Sequence, residues 1–62
     1  MNNIRVNDKV EIISRFNLDL YGKSGIVRDI KEGKHGIEVR VEFEDGYETW
    51  IDITDLSILL EK

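Results

Sequence analysis

The clearest pattern in this chain is a run in which apolar and charged residues alternate one by one. It covers residues 37–43, Ile-Glu-Val-Arg-Val-Glu-Phe, and a second β-like run, Tyr-Glu-Thr-Trp-Ile, follows at residues 47–51. A period of two is typical of a half-buried strand. Asp45-Gly46 between the runs is a turn signal, so the pattern predicts a β-hairpin.

The length of the turn decides which side chains share a face. A two-residue turn would place Val41 beside Trp50 and Phe43 beside Glu48. A three-residue turn, Glu44-Asp45-Gly46, gathers apolar and neutral residues on one face, in the pairs Val39–Ile51, Val41–Thr49 and Phe43–Tyr47. We expect the three-residue turn, with Gly46 in the left-handed conformation that glycine adopts without steric cost.

The same register fixes the opposite face, which carries the pairs Glu42–Glu48, Arg40–Trp50 and Glu38–Asp52. Two of these pairs place like charges together. In the third, a guanidinium could stack on the indole, worth roughly 0.5–1 kcal/mol when exposed. In the plainer interpretation, Arg40 covers Trp50 and the carboxylates are solvated. In the other, this face binds a basic, partly apolar partner, because Trp and Arg are typical hot-spot residues.

The rest of the chain also predicts short strands. They span residues 10–12, 24–30 and 56–60, with a bulge or bend between Val27 and Ile30, where strict alternation fails. Residues 31–36 are expected to form a flexible exposed turn, and residues 51–55 a single helical turn. Five strands with regular turn signals indicate an all-β barrel in one domain, 1–62, with an ordered core at about 6–60 and fraying at Glu61-Lys62.

The connection at residues 14–23 is unusual because it carries four large apolar residues, Phe16, Leu18, Leu20 and Tyr21. Two interpretations remain open. The connection could fold back over the mouth of the barrel, which we favour for so small a domain, or it could be partly exposed for binding.

Size and composition narrow the class of protein. With 62 residues and no cysteine, the chain has neither a disulfide framework nor a thiolate metal site. It shows no signal peptide and no apolar run long enough to span a membrane, so we expect a cytoplasmic protein without a membrane partner.

Charge is unevenly distributed. Residues 1–31 hold six basic and four acidic residues, whereas residues 32–62 hold three and nine, giving a net charge of −4. A nucleic-acid binder is usually basic, so this balance favours a protein or peptide partner. Simple solubility is the plainer explanation of the acidic excess.

Residues that could support catalysis or metal binding are isolated. His35, the only histidine, lies in a predicted loop without an oriented partner. Glu42, Glu44 and Asp45 match no calcium-loop pattern. Gly22-Lys23-Ser24 lacks the earlier glycine of a phosphate-binding loop, where Asn17 stands. We therefore expect no enzyme activity, no metal and no cofactor.

Two segments resemble known small β domains. Asn7-Asp8-Lys9-Val10-Glu11-Ile12, followed by Gly22-x-x-Gly25-x-Val27-x-x-Ile30, resembles the KOW motif of ribosomal proteins and transcription-elongation factors. Residues 39–46, with Ile51 and Asp55-Leu56, resemble the second half of Tudor-type domains. Both families have the SH3-like barrel, so the resemblance implies a five-stranded SH3-like barrel with a short helical turn before the last strand.

The chain departs from both families at informative positions. Asn7 replaces the usual KOW glycine, and the register turns Phe43 and Tyr47 inward, so we assign no aromatic cage. The predicted function is a non-catalytic module that binds a protein or peptide, with a basic one as an option. The predicted binding residues are Trp50, Arg40, Glu38, Glu42, Glu48, Asp52, Phe16 and Tyr21. The alternative is KOW-like nucleic-acid binding through Arg15, Lys23, Arg28 and Lys31. The Trp50 face or a strand edge could also mediate a homodimer.

Overall fold

The computed structural model describes residues 4–59 and shows one antiparallel sheet of five strands. The strands are β1 (Lys9–Ile12), β2 (Ser24–Gly33), β3 (Gly36–Phe43), β4 (Glu48–Asp52) and β5 (Leu56–Ile58), with a 3₁₀ turn, η1 (Ile53–Asp55), between the last two. The strands lie in the order β4-β3-β2-β1-β5. The all-β class and the five strands are therefore confirmed.

The sheet is strongly coiled but not closed. Its edges are β4 and β5, and within residues 4–59 no ladder joins them, so the predicted closure of a barrel is not confirmed. In a flat sheet, four strand spacings would separate these edges by about 19 Å. The 3₁₀ turn from Asp52 to Leu56 covers only about 8 Å, so the sheet must curl to bring its edges near each other. All three residues of β5 are used in pairing with β1.

The β3–β4 hairpin has the register that the alternating pattern predicts. Val39 lies opposite Ile51 and Val41 opposite Thr49. The turn is closed by the amide of Gly46, which donates to the carbonyl of Phe43 at 2.9 Å. Gly46 has a φ of 89°, the left-handed conformation expected of it. The three-residue turn is thus confirmed.

The core lies on the inner face of this coiled sheet. Alternate residues of β1, β2, β3 and β4 face inward, as period two requires. Phe43 is buried as predicted, but Tyr47 is exposed, because it precedes β4 and lies at the end of the hairpin, beyond the core. Its ring stacks on Phe43, with centroids 6.2 Å apart. The buried apolar residues are Val10, Ile12, Leu20, Val27, Val39, Val41, Phe43, Ile51 and Leu56.

Strand β2 is longer than the sequence predicts, whereas its bulge is confirmed. The register with β3 shifts between Val27 and Asp29, which leaves Arg28 as the extra residue. This shift lets both Val27 and Ile30 pack on the core. The predicted flexible turn at 31–36 is wrong in extent: β2 continues to Gly33, which pairs with Gly36, because the ladder with β3 runs on after the bulge.

The predicted helical turn is shorter than expected. Ile51 and Asp52 belong to β4, and only Ile53–Asp55 form the 3₁₀ turn. Asp52 caps this turn through its side chain. The last strand begins at Leu56 as predicted; Leu60 and the predicted fraying residues Glu61 and Lys62 lie outside the described residues.

Of the four large apolar residues in the connection at 14–23, one caps the core and the other three are exposed. Leu20 is buried in the core, held by a turn in which the amide of Tyr21 donates to the carbonyl of Asn17 at 2.9 Å. Phe16, however, is fully exposed, and Leu18 and Tyr21 are exposed as well. The favoured interpretation, in which the connection caps the core, therefore holds for Leu20 alone.

Candidate functional site

Six of the predicted binding residues lie together on the outer face of the β3–β4 hairpin, which we call the Trp50 face. The outward position of each follows from the confirmed register, because neighbours of inward residues must point out. Across the two strands they form the rows Glu42–Glu48, Arg40–Trp50 and Glu38–Asp52.

Trp50 lies in the middle row and keeps 42% of its surface exposed. It belongs to a strand whose inward neighbours Thr49 and Ile51 pair with β3, so the indole is carried on a well-supported backbone. Arg40 therefore does not cover Trp50 completely, and a large part of this side chain stays in contact with solvent.

Arg40 makes a different contact from the one predicted. No stacking of its guanidinium on the indole is found in the described part of the chain. Its Nη1 instead lies 3.2 Å from Oε1 of Glu48, because that carboxylate sits diagonally across the ladder within reach of the long side chain. The Nε atom is shielded from solvent and lacks a hydrogen-bond partner.

Two carboxylates of the Trp50 face, those of Glu42 and Glu48, are held in ion pairs. Nε of Arg28, the extra residue of the bulge, lies 2.7 Å from Oε1 of Glu42. Glu48 is paired with Arg40, and Glu38 lies opposite Lys31 in the ladder with β2. The two ion pairs offset the like charges of the Glu42–Glu48 row. Exposed ion pairs contribute only about 0–1 kcal/mol each, so they position the carboxylates more than they stabilise the fold.

Asp52 ends β4 and joins the Trp50 face to the 3₁₀ turn. The backbone amide of Thr54 donates to Oδ1 of Asp52 at 2.9 Å, and the Thr54 hydroxyl donates to the same atom at 2.7 Å. These two hydrogen bonds, the backbone one first, lower the pKa of Asp52 below its ordinary value of 3.8. The carboxylate is therefore anionic at neutral pH and adds to the negative charge of the face.

Two predicted residues are not part of this face. Phe16 and Tyr21 lie on the connection between β1 and β2, whereas Trp50 lies on β4, at the far edge of the sheet. The structure thus divides the predicted binding residues into the Trp50 face and a separate group of exposed apolar side chains in residues 16–21.

Two of the four cations of the nucleic-acid alternative, Arg28 and Lys31, lie beside carboxylates. Arg28 is bound by Glu42 and also reaches Oδ1 of Asn7 at 3.4 Å. Lys31 lies opposite Glu38. Arg15 and Lys23 lie on the connection before β2. Because the first two cations lie beside carboxylates, the attraction for a phosphate backbone is weakened.

Sequence reasoning missed an open cleft of about 380 Å³ between the β1–β2 connection and the β3–β4 turn. It is lined by Gly22, Lys23, Ser24, Phe43, Glu44 and Asp45. The sequence gives no signal for it, because its two sides are distant in the chain. Its lining combines one cation with two carboxylates and contains no arrangement of a nucleophile and a base.

The remaining residues that could bind a metal or support catalysis are not clustered in the described part of the chain. Within residues 4–59, no cluster of His, Cys, Asp and Glu could hold a metal ion. His35 lies exposed in the turn between β2 and β3. No helix in this part of the chain has the length and hydrophobicity of a membrane-spanning segment.

Comparison with known proteins gives a likeness in fold. No family model matches the chain, and no curated protein matches it. Among solved structures, the chain is similar to the solution structure of the cyanobacterial cytochrome b6f complex subunit PetP, with a TM-score of 0.75 and 21% sequence identity. The match covers 90% of this chain and 80% of that one.

This likeness changes two predictions. The KOW and Tudor resemblances are not confirmed, since no family model matches the chain and the likeness to PetP is one of fold. The predicted cytoplasmic location is wrong: the solved structure that the chain resembles in fold is a subunit of the cyanobacterial cytochrome b6f complex. This small all-β chain is thus similar in fold to a subunit of a protein complex.

Proposed function

We propose that this chain is a small non-catalytic domain that binds a basic segment of another protein through the Trp50 face. The observation that carries the proposal is the exposed indole of Trp50, fixed on β4 among four carboxylates. A large aromatic side chain that a small domain leaves outside its core is a natural anchor for a partner, since Trp dominates many protein interfaces.

Charge indicates the kind of partner. The six residues of the Trp50 face comprise four acids, one base and the indole. The adjoining turn adds Glu44 and Asp45, both exposed. A partner with Lys or Arg around an apolar side chain would complement this face, and its approach would be accelerated by electrostatic attraction. The fold match to PetP, a subunit of the cytochrome b6f complex, supports an interaction role.

The exposed side chains of Phe16, Leu18 and Tyr21 are the competing surface. They are apolar and lie on a connection, where binding residues are frequently found. They lack the acidic surroundings of Trp50, because the charges nearest to them in sequence are Arg15, Asp19 and Lys23, two bases and one acid. A direct comparison of the two surfaces is therefore the appropriate test.

The experiment is affinity capture from native lysate with three immobilised proteins: the native chain, Trp50→Ala and Phe16→Ala. Both substitutions remove one exposed aromatic ring, so each is the control for the other. We expect the captured protein to be lost with Trp50→Ala, by about 30-fold or more, and kept with Phe16→Ala. All three proteins should unfold cooperatively, as monitored by circular dichroism.

Three results would contradict the proposal. Equal capture by Trp50→Ala and the native chain would remove the Trp50 face from the interaction. Loss with Phe16→Ala alone would assign the partner to the connection at 14–23. Release of the captured material by nuclease would replace the protein partner with nucleic acid.

A further inference from the structure

Strand β4 carries Trp50 and is also an edge of the sheet. It pairs with β3 on one side only, and within residues 4–59 no strand pairs with its other side. An edge strand presents a row of free N–H and C=O groups, which is a template for a further strand. The hydrogen bonds of the β3–β4 hairpin determine which residues of β4 present those groups.

The amide of Phe43 donates to the carbonyl of Tyr47 at 2.9 Å, so these opposite residues form a hydrogen-bonded pair. In an antiparallel ladder, bonded and non-bonded pairs alternate. The amides and carbonyls of Glu48 and Trp50, and the amide of Asp52, therefore point away from β3, toward the free edge. The carbonyl of Asp52 is used by the 3₁₀ turn that Asp52 caps. The neighbouring ladder agrees: Val27, opposite Val41, directs its amide and carbonyl to Asp8 and Asn7 rather than to β3.

The edge-facing residues are also the ones whose side chains form the outer row of the Trp50 face. A strand added antiparallel to β4 would pair its backbone with Glu48 and Trp50 and with the amide of Asp52. Its alternate side chains would lie directly beside those three residues. Backbone bonding would supply affinity and the side chains specificity, as in other cases of strand addition.

We propose that the free edge of β4 binds an extended, basic segment of a partner protein as a sixth, antiparallel strand. This proposal rests on the proposed function and specifies its mode. The segment carries Lys or Arg opposite Glu48 and Asp52 and an apolar or aromatic residue opposite Trp50.

Charge argues against a second copy of the chain as the occupant. A symmetric antiparallel pairing of two β4 strands centred on Trp50 would place Glu48 opposite Asp52 of the second copy. Like charges directly opposite each other in a ladder are destabilising. The same two positions would be stabilised by a basic segment, which makes the edge selective for a partner of the opposite charge.

The first test uses hydrogen exchange of the native chain with a short blocked peptide of alternating lysine and valine, with phenylalanine replacing the central lysine. We expect slower exchange at the amides of Glu48, Trp50 and Asp52 when this peptide is added. The amides of Thr49 and Ile51, already bonded to β3, should be slow in both states. No protection at millimolar peptide would overturn the proposal.

Two N-methylated versions of the peptide separate backbone pairing from simple charge attraction. In the antiparallel register, the residues beside the Trp50 face direct their own amides to β4, whereas the valine amides point away. Methylation of the lysine and phenylalanine amides should abolish binding, and methylation of the valine amides should not. Equal binding of both versions, or the reverse pattern, would overturn the proposed register.

A pair of substitutions tests the edge from the side of the chain. Glu48→Pro removes the carboxylate and also an edge-facing N–H, without removing a ladder bond to β3. Glu48→Ala removes the carboxylate and keeps the N–H, so it is the matched control. We expect the native partner, or the peptide, to bind about tenfold more weakly to Glu48→Pro than to Glu48→Ala. Equal affinities, with both variants folded, would contradict strand addition.

The two proposals can fail separately. If Trp50→Ala loses the captured protein while the edge amides stay unprotected, the Trp50 face binds by side chains alone and strand addition is excluded. If protection appears on the edge with the peptide, strand addition is supported, whatever protein the lysate supplies.

Discussion

The two faces of the β3–β4 hairpin are built from the same strands but differ in burial. On the inner face, Val39 and Val41 are completely buried, and Phe43 nearly so. On the outer face, Trp50 is 42% exposed among charged residues. A domain of this size has little core, so every large apolar side chain placed outside is a loss to stability. The comparison teaches that burial in the core does not explain the position of Trp50, which is the reason for proposing a binding role for it.

The largest expected loss of stability comes from a substitution on the inner face. Phe43→Ala removes a buried ring and leaves a cavity, which should cost about 3–5 kcal/mol in the free energy of unfolding. In a domain of about 60 residues each kcal/mol lowers the Tm by about 4–8 °C, so the variant should be largely unfolded on warming. Urea unfolding measures the change. A loss below about 1 kcal/mol would mean that the inner face is not the core.

The next effect tests the three-residue turn, which sets the register of β3 and β4 and therefore decides which side chains share a face. Gly46→Ala places a side chain at a φ of 89°, and we expect a loss of about 1–2 kcal/mol because left-handed backbone disfavours a Cβ. Gly33→Ala is the matched control, since its φ lies outside that region and its new Cβ would meet only Gly36 O at 3.8 Å. Equal losses in the two variants by thermal unfolding would argue against the left-handed turn.

A smaller effect is expected on the outer face. Trp50→Ala should reduce the free energy of unfolding by about 1 kcal/mol or less, because much of the ring already contacts solvent. Compared with Phe43→Ala in the same urea experiment, it should unfold at clearly higher urea. If the two aromatic substitutions destabilised the chain equally, Trp50 would have to be counted as core.

The smallest effect concerns the charge at the end of β4. Hydrogen bonds from Thr54 lower the pKa of Asp52 in the folded chain, so its ionised form adds stability above the ordinary value of 3.8. This contribution is lost as the pH falls through the lower folded pKa. Asp52→Asn keeps the shape without the charge, so its Tm should lie below that of the native chain at pH 7. The two Tm values should converge in strong acid; a gap independent of pH would contradict this account.

The hairpin could be predicted because its signals are local. Period two over residues 37–43 and the glycine at 46 fix both the register and the outward position of Trp50. Tyr47 pairs with Phe43 as predicted, but it is exposed, because the alternation continues past the point where the core ends. The β2 extension was missed because Lys31, Glu32 and Gly33 are exposed, and only pairing with β3 makes them a strand.

Other features depend on contacts that a sequence pattern does not contain. Phe16, Leu18 and Leu20 are all apolar residues of one connection, yet only Leu20 reaches the core. The open edge of β4 results from the order of the strands and the shortness of β5. The contact of Arg40 with Glu48, in place of the stacking predicted with Trp50, depends on where two flexible side chains meet.

The most direct measurement of the central claim uses the emission of Trp50, the only tryptophan of the chain. In the free folded protein, the account predicts emission typical of a solvated indole and quenching by added acrylamide. When the captured partner is added, the emission should shift to shorter wavelength and the quenching should fall. An indole that resists quenching in the free chain, or one whose emission the bound partner leaves unchanged, would contradict the account.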